Sequence, residues 1–428
     1  MRHPATSGFL SPYRVLDLTD HRGLLAGWML ARLGADVIQV EPPSGSPARR
    51  VAPLDDEAPA GEGSLYWSVY ASCKRGITCS LDTEEGRGLF LRLVERADFV
   101  LESFDSGTTH RLGIDYAALR TANPRIIHVS ITAFGAEGPK ASYADSDLIV
   151  WAASGALHPS RSRRGVPLRV SVPQAYLHGA ADAAGGALIA LFGRRRTGRG
   201  QHVEVSTQRS AALATLSTTL AAAVGHEHYQ FPADPVGKKK SLDLSGSGVR
   251  TRRSKWRVRD GLLELHLGIG PASGGSANRL FAWMREQGAL PEEFADWDWI
   301  TLPQRLEKEE VTGEQMDRAR EAVARFLARY SKAELASVAL ERGILMAPIM
   351  TVEDLAKSEQ LRGRRFFETV SESGRPRTIP GRLAAGCDAG FAVPRPAPAR
   401  GEHNLEVYSN LLGLGVEQIE ALTARGVI

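Results

Sequence analysis

Between Tyr13 and Glu41 the chain reads "YRVLDLTDHRGLLAGWMLARLGADVIQVE": an apolar strand, leucines and alanines at helical spacing, a Gly34 stop, and a second apolar strand. A strand, a helix and a strand within about 30 residues form a βαβ unit, and a βαβ unit commits the chain to a parallel sheet covered by helices. The pattern recurs. "GITCSLD" (76 to 82) reads as a strand, "EEGRGLFLRLVERA" as a helix, "DFVLESF" as a strand, and "RIIHVSITAFG" from Arg125 as another. The expectation is an open, doubly wound α/β domain. No G-x-G-x-x-G follows its first strand, which disfavours a nicotinamide or flavin site of that type.

Further on, residues 177–192 and 207–225 are alanine-rich and read as packed helices. The texture then changes: 226–255 is rich in Gly, Ser, Pro and charge, as an exposed connection is. "WRVRDGLLELHLG" reads as a hairpin about Asp260-Gly261, followed by helices within 314–343 that end at Gly343. "RRFFETV" and "RPRTIP" read as a closing strand pair, "PRPAPARGEHN" as an extended crossing, and the last residues as a helical pair. The expected division is 1–225 for the first part of a large domain and 226–345 for a small α+β domain. Residues 346–428 then form the return crossing and the rest of the large domain.

The chain has 428 residues, 43% hydrophobic and 24% charged, an ordinary globular composition. No stretch approaches the roughly 18 uninterrupted apolar residues of a membrane span, and the start lacks a long apolar segment with a cleavage site, so a cytoplasmic address and no membrane partner are expected. Cys73, Cys79 and Cys387 stand at unrelated spacings and read as free thiols. His226 and His228 lie in "GHEH" without a carboxylate or cysteine framework, which points to a connecting loop rather than a metal site. The glycine-rich "GIGPASGG" (268–275) follows a strand but opens no Rossmann unit. The net charge of +4 hides basic runs at 161–165, 193–200 and 238–259. Such runs are ordinarily solvated surface, with a phosphate-bearing ligand as the alternative, and no nucleic-acid fold signature accompanies them. Spacing rules alone therefore stop at a two-domain α/β protein of enzyme-like build.

A series of short motifs goes further. "VLDLT" (15–19), "LGADVIQVEPP" (33–43), "SCKRGITCSLD" (72–82), "ADFVLESFDSG" (97–107), "RLGIDYAALRTANPRIIHVSITAFGAEGP" (111–139), "DLIVWAASG" (147–155), "RRRTGRGQHVEVS" (194–206) and a tail from Glu341 containing "GEHN" follow one another in the order of the family III CoA-transferases. The chain resembles this CaiB/BaiF family, which includes formyl-CoA:oxalate and carnitine CoA-transferases and 2-methylacyl-CoA racemases; only 226–340 matches weakly. The resemblance implies a Rossmann-like large domain built from both chain ends, a smaller domain between, and two subunits threaded through each other as interlocked rings. It implies no permanently bound cofactor; coenzyme A and acyl-CoA enter as substrates.

In the family a lysine of an N-x-x-K-R-S-I loop, an aromatic residue of a V-E-N-F stretch and a following arginine hold the CoA nucleotide. The matching positions here are Lys74, Phe104 and Arg111, with Leu112 beside them. A cation beside a phosphate gains charge-assisted hydrogen bonds, and an aromatic face can stack on adenine. The family's nucleophile belongs in "VSVPQAYLHGAADAAGG" (170–186), where V-G-V-P-x-x-D-x-x-x-G places a catalytic aspartate. Tyr176 stands there, and Ala180 replaces the glycine. The family aspartate attacks an acyl-CoA to give a mixed anhydride and then becomes an aspartyl-CoA thioester; a phenol has no carbonyl that could carry CoA. Asp182, six residues on, falls on another helix face, and His178 is a candidate base only.

Other motif positions depart as well: Arg22-Gly23-Leu24 for A-G-P, Ala71 and Ser103 for two asparagines, Asp105-Ser106-Gly107 for R-P-G. The expected function is a subunit of a CoA-transferase that moves CoA from an acyl-CoA, such as succinyl-CoA, to a free carboxylic acid. Its partner would be a homologous chain carrying the aspartate, in an interlocked heterodimer or heterotetramer, as in the succinyl-CoA:benzylsuccinate type. The alternatives are a self-sufficient transferase or racemase using His178, and a non-enzymatic acyl-CoA-binding protein. No nucleic-acid partner is expected.

Overall fold

The computed structural model describes residues 8–58, 63–158, 166–216, 220, 255–372, 374–384 and 391–428. The expected metal-free histidines His226 and His228, the thiol of Cys387, and the basic residues 161–165 and 238–254 lie outside them. Two compact units are present, Met1–Gly237 with Arg362–Ile428, and Lys238–Leu361.

The first unit is built on six parallel strands in the order β3-β2-β1-β4-β5-β6. They are β1 (Arg14–Asp17), β2 (Asp36–Glu41), β3 (Arg75–Thr78), β4 (Phe99–Glu102), β5 (Ile127–Thr132) and β6 (His202–Ser206). The mixed α/β class and parallel sheet follow the expectation. Register pairs Val15 with Val37 on one side and Phe99 on the other, so alternate residues face opposite layers. Val15, Val37, Phe99, Leu101, Val129 and Ile131 pack beneath α1 (Leu24–Arg32) and α7 (Ala175–Thr197). Leu16, Ile38 and Val100 pack on the other face beneath α3 (Glu84–Val94), α5 (Tyr116–Ala122) and the two C-terminal helices. Between them in sequence lie α2 (Leu65–Tyr70), α4 (Thr108–Arg111) and α6 (Asp147–Ala153), and α8 (Thr207–Ala212) follows β6.

Helix α7 carries alanines where it meets the sheet (Ala180, Ala183, Ala184, Ala187, Ala190), which lets its backbone approach closely. It is long and apolar enough by composition to cross a membrane, and half of the qualifying window is buried inside the fold. Edge strand β3 is sealed by the C-terminal segment. The N–H of Cys73 donates to Arg395 O, Thr78 N–H to Asn404 Oδ1 (2.9 Å), Tyr408 OH to Thr78 O (2.7 Å) and Ser80 N–H to Val427 O. The strand order reverses between β1 and β4, and there the loops after both strands lie side by side.

The second unit has its own sheet, β7 (Lys255–Val258), β8 (Gly261–Leu265) and β9 (Met346–Ile349), all antiparallel. Its hairpin turns through Arg259-Asp260, one residue earlier than expected, since Gly261 already pairs with Val258 as the first residue of β8. The helical stretch from 313 divides in two, Gly313–Leu327 and Lys332–Arg342, because Ser331 and Glu334 form a capping box that starts a new helix. Trp256, Phe281, Trp283, Trp299 and Phe326 fill the core. The predicted strand pair near the end of the chain is present as β10 (Phe367–Glu372) against β11 (Arg375–Pro380), in the first unit.

Candidate active site

The segment matched to the family's nucleophile, residues 170–186, enters α7 without a preceding strand, the helix beginning at Ala175. Gln174 caps the helix without a side-chain bond, and a neighbouring carboxylate serves instead: Asp147 Oδ1 accepts the Tyr176 N–H at 3.1 Å. Asp147 opens α6, which Ser146 caps. The Tyr176 phenol is turned inward, only 5% exposed. It donates to Asp145 Oδ1 at 3.1 Å, and its ring meets the edge of His21 at 5.5 Å. Burial, with the Asp145 carboxylate adding to it, pushes the phenol well above its ordinary 10.

Asp145 continues a chain of charges. Its Oδ2 lies 3.7 Å from Arg22, whose guanidinium also donates to Asp105 Oδ1 at 2.7 Å and Asp20 Oδ1 at 3.1 Å. Ser103 Oγ accepts from Asp20 N–H and donates to its carboxylate. The loops after β1 and β4, and the segment leading into α6, are thus pinned to one another through Arg22. Every sequence departure at 22, 103 and 105 takes part in this network.

Lys74 lies apart from this network. A nucleotide-facing cation was expected; the side chain is wholly buried, and its ammonium donates to Asp17 Oδ2 (2.7 Å), Gln39 Oε1 (3.0 Å) and Leu24 O (3.1 Å). An ammonium has three protons, and all three are used. The site fits because Gly27 has no side chain: a Cβ there would meet Asp17 Oδ2 at 1.8 Å and Lys74 Nζ at 3.0 Å. Burial lowers the ammonium's pKa, against which Asp17 pulls.

The other expected residues are more open. Arg111, at the end of α4, is exposed and bonded only to Thr108 Oγ1 at 3.3 Å in its own turn. Phe104 and Leu112 are half-buried against the α3–α5 layer. His178 is exposed and stacked with Trp151 at 5.7 Å, and Asp182 is exposed farther along α7. The structure therefore joins Tyr176 to Asp145 and Arg22. It leaves Lys74 in a separate buried cluster.

Two groups escaped sequence reasoning. Asp145 lies in "ASYADSD", a polar loop with no motif spacing. Glu102, His128, Ser130 and His202 come from three strands, and their signal was alternation: polar residues at every second position of "IIHVSIT" and "HVEVS". They line a cleft of about 300 Å³ that Phe104 also borders. Among the described residues, no group of three or more His, Cys, Asp or Glu is placed to hold a metal ion.

Chemically, the start of α7 presents a buried phenol with a carboxylate directly behind it. Known proteins sharpen this. The family model for CoA-transferase family III matches residues 10–404. The chain is 32% identical, over 98% of both chains, to the succinyl-CoA:(R)-benzylsuccinate CoA-transferase subunit BbsE of Thauera aromatica. It is 28% identical to the formyl-CoA:oxalate CoA-transferase of Streptomyces avermitilis over 98% of this chain and 99% of that one. Its fold superposes on a CAIB/BAIF family protein from Brucella suis with a TM-score of 0.75 at 24% identity, over 96% of this chain and all of the other. With a matching family model over most of its length and relatives that span it end to end, the chain belongs to CoA-transferase family III and is an enzyme of CoA transfer.

Proposed function

We propose that this chain is the non-catalytic member of a heteromeric CoA-transferase, completed by a homologous subunit that carries the nucleophilic aspartate. The carrying observation is Tyr176: at the family's nucleophile position stands a phenol, buried and tethered to Asp145. The likeness to BbsE, itself named as a subunit, supports the same reading. In the net reaction CoA leaves an acyl-CoA, such as succinyl-CoA, for a free carboxylic acid. The partner's aspartate attacks the thioester carbonyl and releases CoA thiolate; the thiolate attacks the aspartyl carbonyl of the anhydride and frees the donor acid. The acceptor carboxylate then attacks the aspartyl-CoA thioester, and the thiolate takes the acceptor acyl group while aspartate departs. This chain contributes the matching half of an interlocked assembly. Phe104 and Arg111, both accessible, are the residues proposed to meet the CoA nucleotide.

The test is CoA exchange by the purified chain alone and mixed with a homologous subunit that carries the aspartate. The chain alone is expected to be inactive and the mixture active. Replacing the partner's aspartate abolishes turnover, and Tyr176→Phe here leaves it within about twofold. Tyr176→Asp restores little activity to the isolated chain, because Ala71 and Asp105 still differ from the family pattern.

One observation favours a second reading. Asp145 places a carboxylate 3.1 Å from the phenol oxygen, with 14% of its side chain exposed. If the isolated chain turns over and Asp145→Asn silences it while His178→Ala does not, the carboxylate has moved in sequence and the chain is self-sufficient.

A further inference from the structure

The loop after β4 carries the aromatic side chain proposed to meet the CoA nucleotide, and directly beside it an acid that works against such a ligand. Phe104 is followed at once by Asp105, and both line the cleft that runs on to Tyr116 of α5. The other proposed contact, Arg111, ends the short helix α4 into which this loop leads. Of the three acids around Arg22, Asp105 is the most exposed, with 82% of its side chain in solvent against 21% for Asp20 and 14% for Asp145. Coenzyme A brings a diphosphate and a further phosphate monoester, and a free carboxylate next to them repels the ligand.

Arg22 answers that charge from the loop after β1. Its side chain is 18% exposed, and Nη1 reaches Asp105 Oδ1 at 2.7 Å. The guanidinium is fixed from behind: Nε lies 3.1 and 3.2 Å from the two carboxylate oxygens of Asp20, and Asp145 Oδ2 lies 3.7 Å from Nη1. Asp20 is itself held by the residue before Phe104, since its N–H donates to Ser103 Oγ at 3.0 Å and Ser103 Oγ donates to its carboxylate at 3.0 Å. An arginine suits this place because it stays charged at every ordinary pH and its planar fork serves two acids at once. So exposed an ion pair contributes little to folding, which leaves ligand affinity as the quantity it can govern.

We infer that Arg22 is a positioning residue for the nucleotide. Acting through Asp105, it cancels the acid beside Phe104 and lets the phosphates of coenzyme A lie along this loop toward Arg111. The inference rests on the proposed contact of Phe104 and Arg111 with the nucleotide, and it goes beyond that contact by making affinity depend on a side chain held away from the ligand.

The test is calorimetric titration of the purified chain with coenzyme A at about 50 mM and about 500 mM salt, with adenosine as the uncharged control. Arg22→Met should weaken coenzyme A binding about tenfold at the lower salt and less than about threefold at the higher, where the bared carboxylate is screened. Adenosine should bind parent and variant alike, which a mere loosening of the Phe104 loop would not allow. Asp105→Asn should tighten coenzyme A binding several-fold, and added to Arg22→Met it should recover most of the loss. Arg22→Lys keeps the charge and should stay within about threefold of the parent. Circular dichroism checks that the variants fold. Coenzyme A binding unchanged in Arg22→Met, an equal loss for adenosine, or no recovery on adding Asp105→Asn overturns the assignment and leaves the nucleotide contact standing. Absence of saturable coenzyme A binding by the parent chain overturns both.

Discussion

Two buried polar clusters share one parallel sheet and answer the same problem differently. Around Lys74 a full charge is sealed in, and each of its three protons has an acceptor. Around Glu102 the pairing is partial: its Oε2 accepts the Phe104 N–H at 2.7 Å, but its Oε1 lies 3.7 Å from His128 Nε2, and His128 Nδ1 has no hydrogen-bond partner among the described residues, beside an open cleft. Burial of a charge is tolerated only with complete pairing; incomplete pairing shifts the proton equilibrium instead. The first cluster is therefore part of the frame, and the second is poised to change state.

The largest effect should come from breaking the sealed cluster. Lys74→Met strands Asp17 in the interior and is expected to cost about 3–5 kcal/mol, read as a lower denaturation midpoint in guanidinium. Adding Asp17→Leu should recover much of this loss, since an apolar pair leaves no orphan charge. A small loss in Lys74→Met would mean that water or another cation reaches Asp17, and the contrast between the clusters would collapse.

The open cluster is sharpened by pH. Glu102 is raised from 4.5 to about 7, so the folded state holds the extra proton and stability falls as pH rises across that window. His128 is lowered from 6.5 to about 3, so the unfolded state takes the proton and stability falls as pH drops below 6.5. Between about 4.5 and 6.5 the two slopes oppose each other at roughly 1.4 kcal/mol per pH unit each, and they largely cancel. Glu102→Gln should uncover the histidine: relative to the parent, its stability should decline toward acid pH by on the order of 2–3 kcal/mol over that range. Urea midpoints of both proteins at several pH values measure it, and parallel profiles would refute the coupling.

The smallest effect belongs to Tyr176→Phe. Losing one hydrogen bond to Asp145 should cost about 1–2 kcal/mol in the same denaturation experiment, less if water reaches the freed carboxylate.

Much of the frame was legible in sequence because it depends on local periodicity. The strand-helix-strand unit at Tyr13–Glu41 and the Asp260-Gly261 hairpin need only neighbours to declare themselves. The site was less legible because its residues come together from distant segments. Asp145 lies 31 positions from Tyr176, and Arg22 and Asp105 are 83 apart, so no window contains the network. The burial of Lys74 was not legible in its own motif either, because the room for its side chain comes from the missing side chain at Gly27, in another element. Tyr176 stands in the first turn of α7, and that its hydroxyl would find a carboxylate could not be read from "QAYLHG".

The seal on β3 has a kinetic consequence. Thr78 is bonded to residues 326 and 330 positions later, so the edge of the sheet is closed only after a very long loop has been drawn together. Until then, five neighbouring strands can assemble while β3 keeps an unguarded row of donors and acceptors, and the inserted second unit, with its own sheet and core, has no need to wait. The last forty residues act as a latch on folding, and the interval before it closes is when this chain is most exposed to pairing with the wrong strand.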